Sequence, residues 1–278
     1  MTIQQTPLDR RTVLGSILVG ITTGLAGCSA LSPSDDDPST DTGGDILQSV
    51  AVEGVELVID LERDAIDQLN VVAPSGELFA KRTIESGVSH TTIEVGTDYP
   101  PGEYELLGLN DDETVETTTV TLEPDLELTE LRLAREYPEE MYEGASDSST
   151  EAEAILSVTN RGTGPTAATA LRFEGDVPFP THESYDEAGE SGIYDPESDF
   201  GADAESIALP AGETVLIYSN TRPFSPAGTR SKCDSVGQDG QFTVRLSTSH
   251  AIGLTLDYVI HYLGSSPDDC GIKIERSS

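Results

Sequence analysis

Tryptophan is absent from the 278 residues, methionine occurs twice, and only three lysines (Lys81, Lys232, Lys273) stand beside 12 arginines. With 15 basic residues against 51 acidic ones the formal net charge is −36, which excludes an ordinary nucleic-acid binder, since a polyanion is repelled over most of such a surface. Cysteine is scarce too. Its three copies form no C-x-x-C, so zinc-ribbon and thioredoxin-like chemistry lack their ligands. Four histidines (His90, His182, His250, His261) make neither H-x-H nor H-E-x-x-H, and no G-x-S-x-G or phosphate-cradling glycine loop occurs. No catalytic activity and no resident cofactor are therefore expected. After residue 28 no charge-free apolar run approaches the roughly 20 residues of a spanning helix.

What is present begins with an address. Arg10 and Arg11 precede an uncharged stretch from Thr12 to Gly27, rich in Leu, Ile and Val, and then Cys28. Sixteen residues are short for a membrane span and fit a signal-peptide hydrophobic region. The pair of arginines resembles a twin-arginine export signal, with Val13 and Gly15 departing from the usual pattern. Leu25-Ala26-Gly27-Cys28 resembles a lipobox, in which small residues admit the peptidase and the Cys28 thiol receives the lipid. Residues 1–27 then form the signal peptide, and two acyl chains on Cys28 hold the mature chain to the outer face of the cell membrane at about 0.8 kcal/mol per buried CH₂.

Processing removes Asp9, Arg10 and Arg11, leaving 13 basic and 50 acidic residues. Such self-repulsion destabilises a compact chain in dilute buffer and fades in molar salt, where the screening length falls to about 3 Å. Acid excess in every segment with little lysine resembles proteins of extreme halophiles. Together with the export signal and lipobox, the chain is similar to haloarchaeal cell-surface lipoproteins. Of the three cysteines, Cys233 and Cys270 remain as an even pair outside the cytoplasm and are expected to form a disulfide, which would be worth about 4 kcal/mol on a chain-entropy estimate.

Residues 28–45 are acidic and small, a disordered stalk with a reach of roughly 20–25 Å. From 46 to 136 the hydrophobic pattern has period two: Val55, Leu57, Ile59 and Leu61 alternate with Glu56, Val58, Asp60 and Glu62, and Pro74-Ser75-Gly76, Pro100-Pro101-Gly102 and Asn110-Asp111-Asp112 punctuate further strands. Seven or eight short strands, the last over 126–135, and no convincing helix predict an antiparallel β-sandwich. Residues 137–150 read as a linker. A second sandwich is expected over 151–278, its clearest strand at 252–262 paired with Phe242, Val244 and Leu246 through a turn at Ser249-His250-Ala251. Pro-x-Gly-Glu-x-x-Leu occurs at 100–106 and 210–216, and Val158-Thr159-Asn160-Arg161-Gly162 resembles loops of immunoglobulin-like modules. The fold class is thus all-β, two tandem immunoglobulin-like sandwiches.

The long segment 177–203 carries three prolines and four aromatics and no basic residue. Tyr185, Tyr194 and Phe200 within it are candidate anchors for a surface protein or a glycan. Asp195, Glu197 and Asp199 have the first spacings of a calcium loop, but Phe200 and Ser206 replace the required Gly and Glu, which excludes an EF-hand. Asp195, Asp199 and Asp203 are left as candidate ligands of an irregular calcium site. Arg222, Arg230 and Lys232 crowd beside Cys233 and are candidates to receive a carboxylate or sulfate, or to salt-bridge nearby acids. Function is read as lipid-anchored binding or structural work at a high-salt surface. The alternatives are an accessory subunit capturing a glycan or divalent metal for a transporter or enzyme, and a secreted hydrolase.

Overall fold

The computed structural model describes residues 44–196, 203–226, 238–251, 253–263 and 271–277. Seven strands build the first sandwich: β1 (Leu47–Glu53), β2 (Glu56–Leu61), β3 (Gln68–Val72), β4 (Leu78–Thr83), β5 (His90–Glu94), β6 (Gly102–Asn110) and β7 (Glu113–Leu122). A three-stranded sheet in the order β1-β2-β5 faces a four-stranded sheet β4-β3-β6-β7, all pairs antiparallel. Alternation decides which side is buried. Leu57, Ile59 and Leu61 of one sheet meet Leu69, Val71, Tyr104, Leu106 and Leu122 of the other in a single apolar core. The β6–β7 hairpin closes through Asp111 (φ 50°) and Asp112 (φ 67°), two left-handed residues in a row. That is the signature of a two-residue type I′ turn, whose twist matches the strands.

The second sandwich comprises β8 (Leu126–Leu133), β9 (Ala154–Asn160), β10 (Thr166–Gly175), β11 (Ile207–Leu209), β12 (Thr214–Tyr218), β13 (Gln238–Thr248), β14 (Leu254–Tyr262) and β15 (Ile272–Arg276). Its sheets run β8-β9-β12 and β11-β10-β13-β14-β15. Numbered from its own first strand, the second sandwich repeats the strand order of the first and adds β15 at one edge. The fold is all-β, two immunoglobulin-like sandwiches in tandem. Two short helices, α1 (Asp147–Ala152) and α2 (Ser184–Ala188), interrupt the loops where the sequence shows no helical periodicity.

Two expectations are corrected. The strand at 126–133 belongs to the second sandwich, where it pairs with β9, so the division between the cores falls at Glu123–Asp125 rather than beyond 136. A bulge between Leu128 and Glu130 resets the phase, letting Leu126, Leu128, Leu131 and Leu133 all face that core. Nor are residues 137–150 a bare linker. They fold back over the outer face of the β8-β9-β12 sheet: Arg132 pairs with Glu140 and lies 5.0 Å from the Tyr137 ring centroid, and the Tyr218 hydroxyl donates to the Glu140 carbonyl at 2.9 Å. Ile155, which points outward from β9, is fully buried beneath this strap.

The junction between the sandwiches is closely fitted. Gly162 and Gly164 lie against the Leu122–Asp125 crossing; a Cβ on Gly164 would sit 2.1 Å from the Tyr99 hydroxyl and 2.8 Å from backbone atoms of Leu122 and Glu123. Buried Tyr99 donates to the Pro165 carbonyl at 2.8 Å, and its ring meets that of His250 edge-on at 4.6 Å. His250 in turn bonds the Tyr99 carbonyl through Nε2 and Thr166 Oγ1 through Nδ1, both at 2.9 Å. Asn160, fully buried, uses its whole amide. Its Nδ2 donates to the Gly164 and Leu209 carbonyls, and its Oδ1 accepts from the Gly162 and Asp125 N–H groups.

Candidate binding surface

The near end of the excursion from β10 to β11 is gathered by one guanidinium. Arg172 projects outward from β10, yet its side chain is only 11% exposed. Its Nε and Nη2 donate to Asp186 Oδ1 at 3.0 and 2.7 Å, Nη1 to the carbonyls of Leu171 and Ser191, and Nη2 to that of Glu190. Every nitrogen of the planar fork is engaged, a task a lysine cannot perform. Tyr185, in the first turn of α2, lies alongside the same guanidinium, 5.9 Å from Arg172 Cζ to the ring centroid.

The far end of the excursion is fastened by Asp203. Its carboxylate accepts the Ser191 and Gly192 N–H groups and the Asn220 amide, while isolated bridges join Ile193 to Ser219 and Tyr194 to Asp203. Tyr194 stacks on Tyr142 of the strap at 3.6 Å with rings 13° apart, and Tyr218 meets Tyr142 edge-on at 5.4 Å. The Tyr142 hydroxyl reaches Glu153 Oε2 at 3.1 Å. Burial holds the Glu153 carboxyl above the ordinary carboxylate range, while hydrogen bonds from Ser149 and Tyr142 and the charge of Arg222 pull the other way. Burial likewise pushes the Tyr142 phenol up to about 12.

Tyr185 and Tyr194 are therefore not brought together. One lies on Arg172 and the other clamps the strap, so each spends its face within the fold. Asp203 is committed to N–H donors, Asp195 adjoins the Tyr194 bridge, and no group of three metal-ligating side chains occurs among the described residues. Arg222 is exposed and acts on Glu153 through its charge. Phe200, Asp199, Arg230, Lys232, Cys233 and Cys270 lie outside the described residues, as do Arg10, Arg11, Leu25, Ala26, Gly27 and Cys28.

Among the described residues of the excursion, the aromatic presented to solvent is Phe179, 49% exposed. Pro178 and Pro180 flank it, its N–H bonds the Pro223 carbonyl at 3.0 Å, and Thr181 is tied to Phe173 by two hydrogen bonds. Phe179 stands over a trough of about 640 Å³ lined by Arg172, Glu174, Thr181, His182 and Asp186. A second depression of about 540 Å³ shares Glu174 and Gly175 and continues past Gln241, Thr243 and Asp257. Along this floor Arg245 pairs with Glu174 at 3.2 Å, and Thr243 donates to Asp257 at 2.7 Å. The Pro-Phe-Pro run was the sequence signal for this mount; nothing local marked the outer faces of β10, β13 and β14 as its continuation.

One serine, aspartate and histidine do meet, on the outer face of β1-β2-β5. Asp60 lies between Ser49 (2.8 Å) and His90 (2.9 Å), so the carboxylate and not the imidazole holds the hydroxyl. A hydrolytic triad needs the histidine in the middle to take the serine proton.

No protein-family model and no characterised protein matches the sequence. Among solved structures, a segment of two fibronectin type III domains from chicken tenascin aligns with 82% of this chain and 98% of its own at 12% identity and a TM-score of 0.23. The human OSCAR ligand-binding domain aligns with 74% and 87% at 11% identity and a TM-score of 0.20. A beta-glucuronidase from glycoside hydrolase family 2 aligns with 76% of this chain at 10% identity and a TM-score of 0.25. The chain spans about a fifth to a quarter of the length of the glycoside hydrolase chains it matches. The fold assignment stands on the strand order itself.

Proposed function

We propose that this protein is a lipid-anchored extracellular binding or structural protein, exported by the twin-arginine route and held to the membrane of a haloarchaeal cell by acyl chains on Cys28. The observation that carries the reading is the succession Arg10-Arg11, uncharged stretch, Leu25-Ala26-Gly27-Cys28 and acidic stalk directly ahead of β1. Tandem immunoglobulin-like sandwiches suit presentation of a surface, and the acidity suits molar salt. The trough under Phe179 favours the ligand-capturing version of this reading, an accessory subunit serving a surface transporter or enzyme. Hydrolysis has less support, given the order of Ser49, Asp60 and His90.

Cell fractionation tests the anchor. Cys28→Ser is expected to release the mature protein into the medium, and Arg10→Lys with Arg11→Lys to stop export. Retention of the Cys28→Ser protein on membranes would overturn the lipid attachment, and normal export of the double lysine variant would reject the twin-arginine route.

A further inference from the structure

We propose that the trough beneath Phe179 binds a neutral oligosaccharide. This deepens the reading of the chain as a surface binding protein and rests on it. Phe179 is a large apolar ring held half out of the surface by two prolines and a backbone hydrogen bond, so little conformational freedom remains to be lost when a ligand covers it. An exposed aromatic face suits the apolar face of a pyranose ring, whose C–H groups carry slight positive charge toward the negative π-cloud.

The floor supplies the complementary polar half. Glu174, Thr243 and Asp257 stand on adjacent strands, so they span about 10 Å at the usual strand spacing. Each is already held in place, Glu174 by Arg245 and Asp257 by Thr243, and each carboxylate keeps lone pairs for further donors. Sugar hydroxyls are such donors. His182, exposed and lining the same trough, is bonded through Nδ1 to Ser184.

Charge selects among ligands. Glu174, Glu183, Asp186 and Asp257 line the two depressions, and the one arginine among the described lining residues, Arg172, is spent on Asp186 and three carbonyls. An acidic glycan or a nucleic acid would meet these four carboxylates with no unengaged cation among the described lining residues. A basic peptide would be attracted by the carboxylates and by a cation–π contact with the phenyl ring. Molar salt screens the exposed charges, however, whereas stacking of a sugar face and hydroxyl hydrogen bonds persist. The run of alternating polar groups next to one ring matches a chain of neutral hexoses.

The test is isothermal titration calorimetry of the full mature chain in 2 M KCl, with cellohexaose, maltohexaose, N-acetylchitohexaose and hexalysine as probes. At least one hexasaccharide should bind, Phe179→Ala should weaken it tenfold or more, and Leu78→Ala on the first sandwich should leave it unchanged. Circular dichroism checks that Phe179→Ala, at an exposed position, keeps its strands. Saturation-transfer NMR on the sugar ring protons gives an independent readout with the same expected pattern. No heat or transfer with any hexasaccharide at 5 mM, equal binding by Phe179→Ala, or binding of hexalysine alone would overturn the proposal. Failure of the anchor would show instead in the fractionation of Cys28→Ser, which calorimetry does not touch.

Discussion

Arg172 delivers two N–H groups to one oxygen of Asp186, and through that contact a strand of the second sandwich holds α2 and the turn to Ser191 against its outer face. Asp186 is 76% exposed whereas Arg172 is 11% exposed, so the two ends of the pair differ in what their loss would cost.

Arg172→Lys should therefore destabilise by about 1–3 kcal/mol, because one ammonium cannot reach Asp186 and three carbonyls together and leaves part-buried acceptors short of donors. Asp186→Asn should cost under about 1 kcal/mol, in keeping with an exposed partner. Urea unfolding in molar KCl measures both. Equal losses would show that the arginine acts only through its ion pair.

At the junction, Gly164→Ala should destabilise by about 1–3 kcal/mol, since its methyl meets both the Tyr99 hydroxyl and fixed backbone. Tyr99→Phe removes the nearest of these atoms and is expected to make Gly164→Ala less damaging by at least about 0.5 kcal/mol. The backbone contacts at 2.8 Å keep the rescue partial. Strict additivity in the double-mutant cycle would contradict the packing described.

Glu153 supplies a pH test. Its folded carboxyl lies above the ordinary range through burial, so the unfolded chain ionises first as pH rises. The stability this group contributes is present at acid pH and is lost as pH climbs from the unfolded value to the folded one. Glu153→Gln keeps an acceptor for Tyr142 and cannot ionise. It should raise the unfolding midpoint relative to the parent at pH 7, and by clearly less at pH 4. A difference independent of pH would count against the buried carboxylate as its origin.

Salt offers the broadest check. Protein lacking residues 1–28 is expected to lose strand circular dichroism in dilute buffer and to regain it in molar KCl. Unchanged stability across that range would refute adaptation to high salt.

Much of this architecture was legible beforehand because strand burial writes itself as alternation. Leu57, Ile59 and Leu61 announce β2, and Phe242, Val244 and Leu246 announce β13, without outside help. The bulge at Leu128–Glu130 broke that rule: a two-residue period cannot say which of two sheets a strand will join. The strap was illegible for a related reason. Tyr137, Tyr142 and Glu140 are spaced like a loop, and their partners Arg132, Tyr194 and Tyr218 come from three separate segments. Aromatic content alone pointed to Tyr185 and Tyr194 as anchors, but aromatics serve intramolecular clamps equally well. The Pro-x-Gly-Glu-x-x-Leu runs lead into β6 and β12, which occupy different places in their sandwiches, and Leu106 is buried while Leu216 is 37% exposed. A shared turn there marks no shared role.

The wedge of Tyr99 and His250 has a thermal consequence. Tyr99 belongs to the first core but spends its hydroxyl and one ring edge on the second sandwich, so melting either half strips hydrogen bonds and contacts from its neighbour. Heat absorption should then merge into one peak, with the two halves failing together rather than in sequence, despite their separate cores.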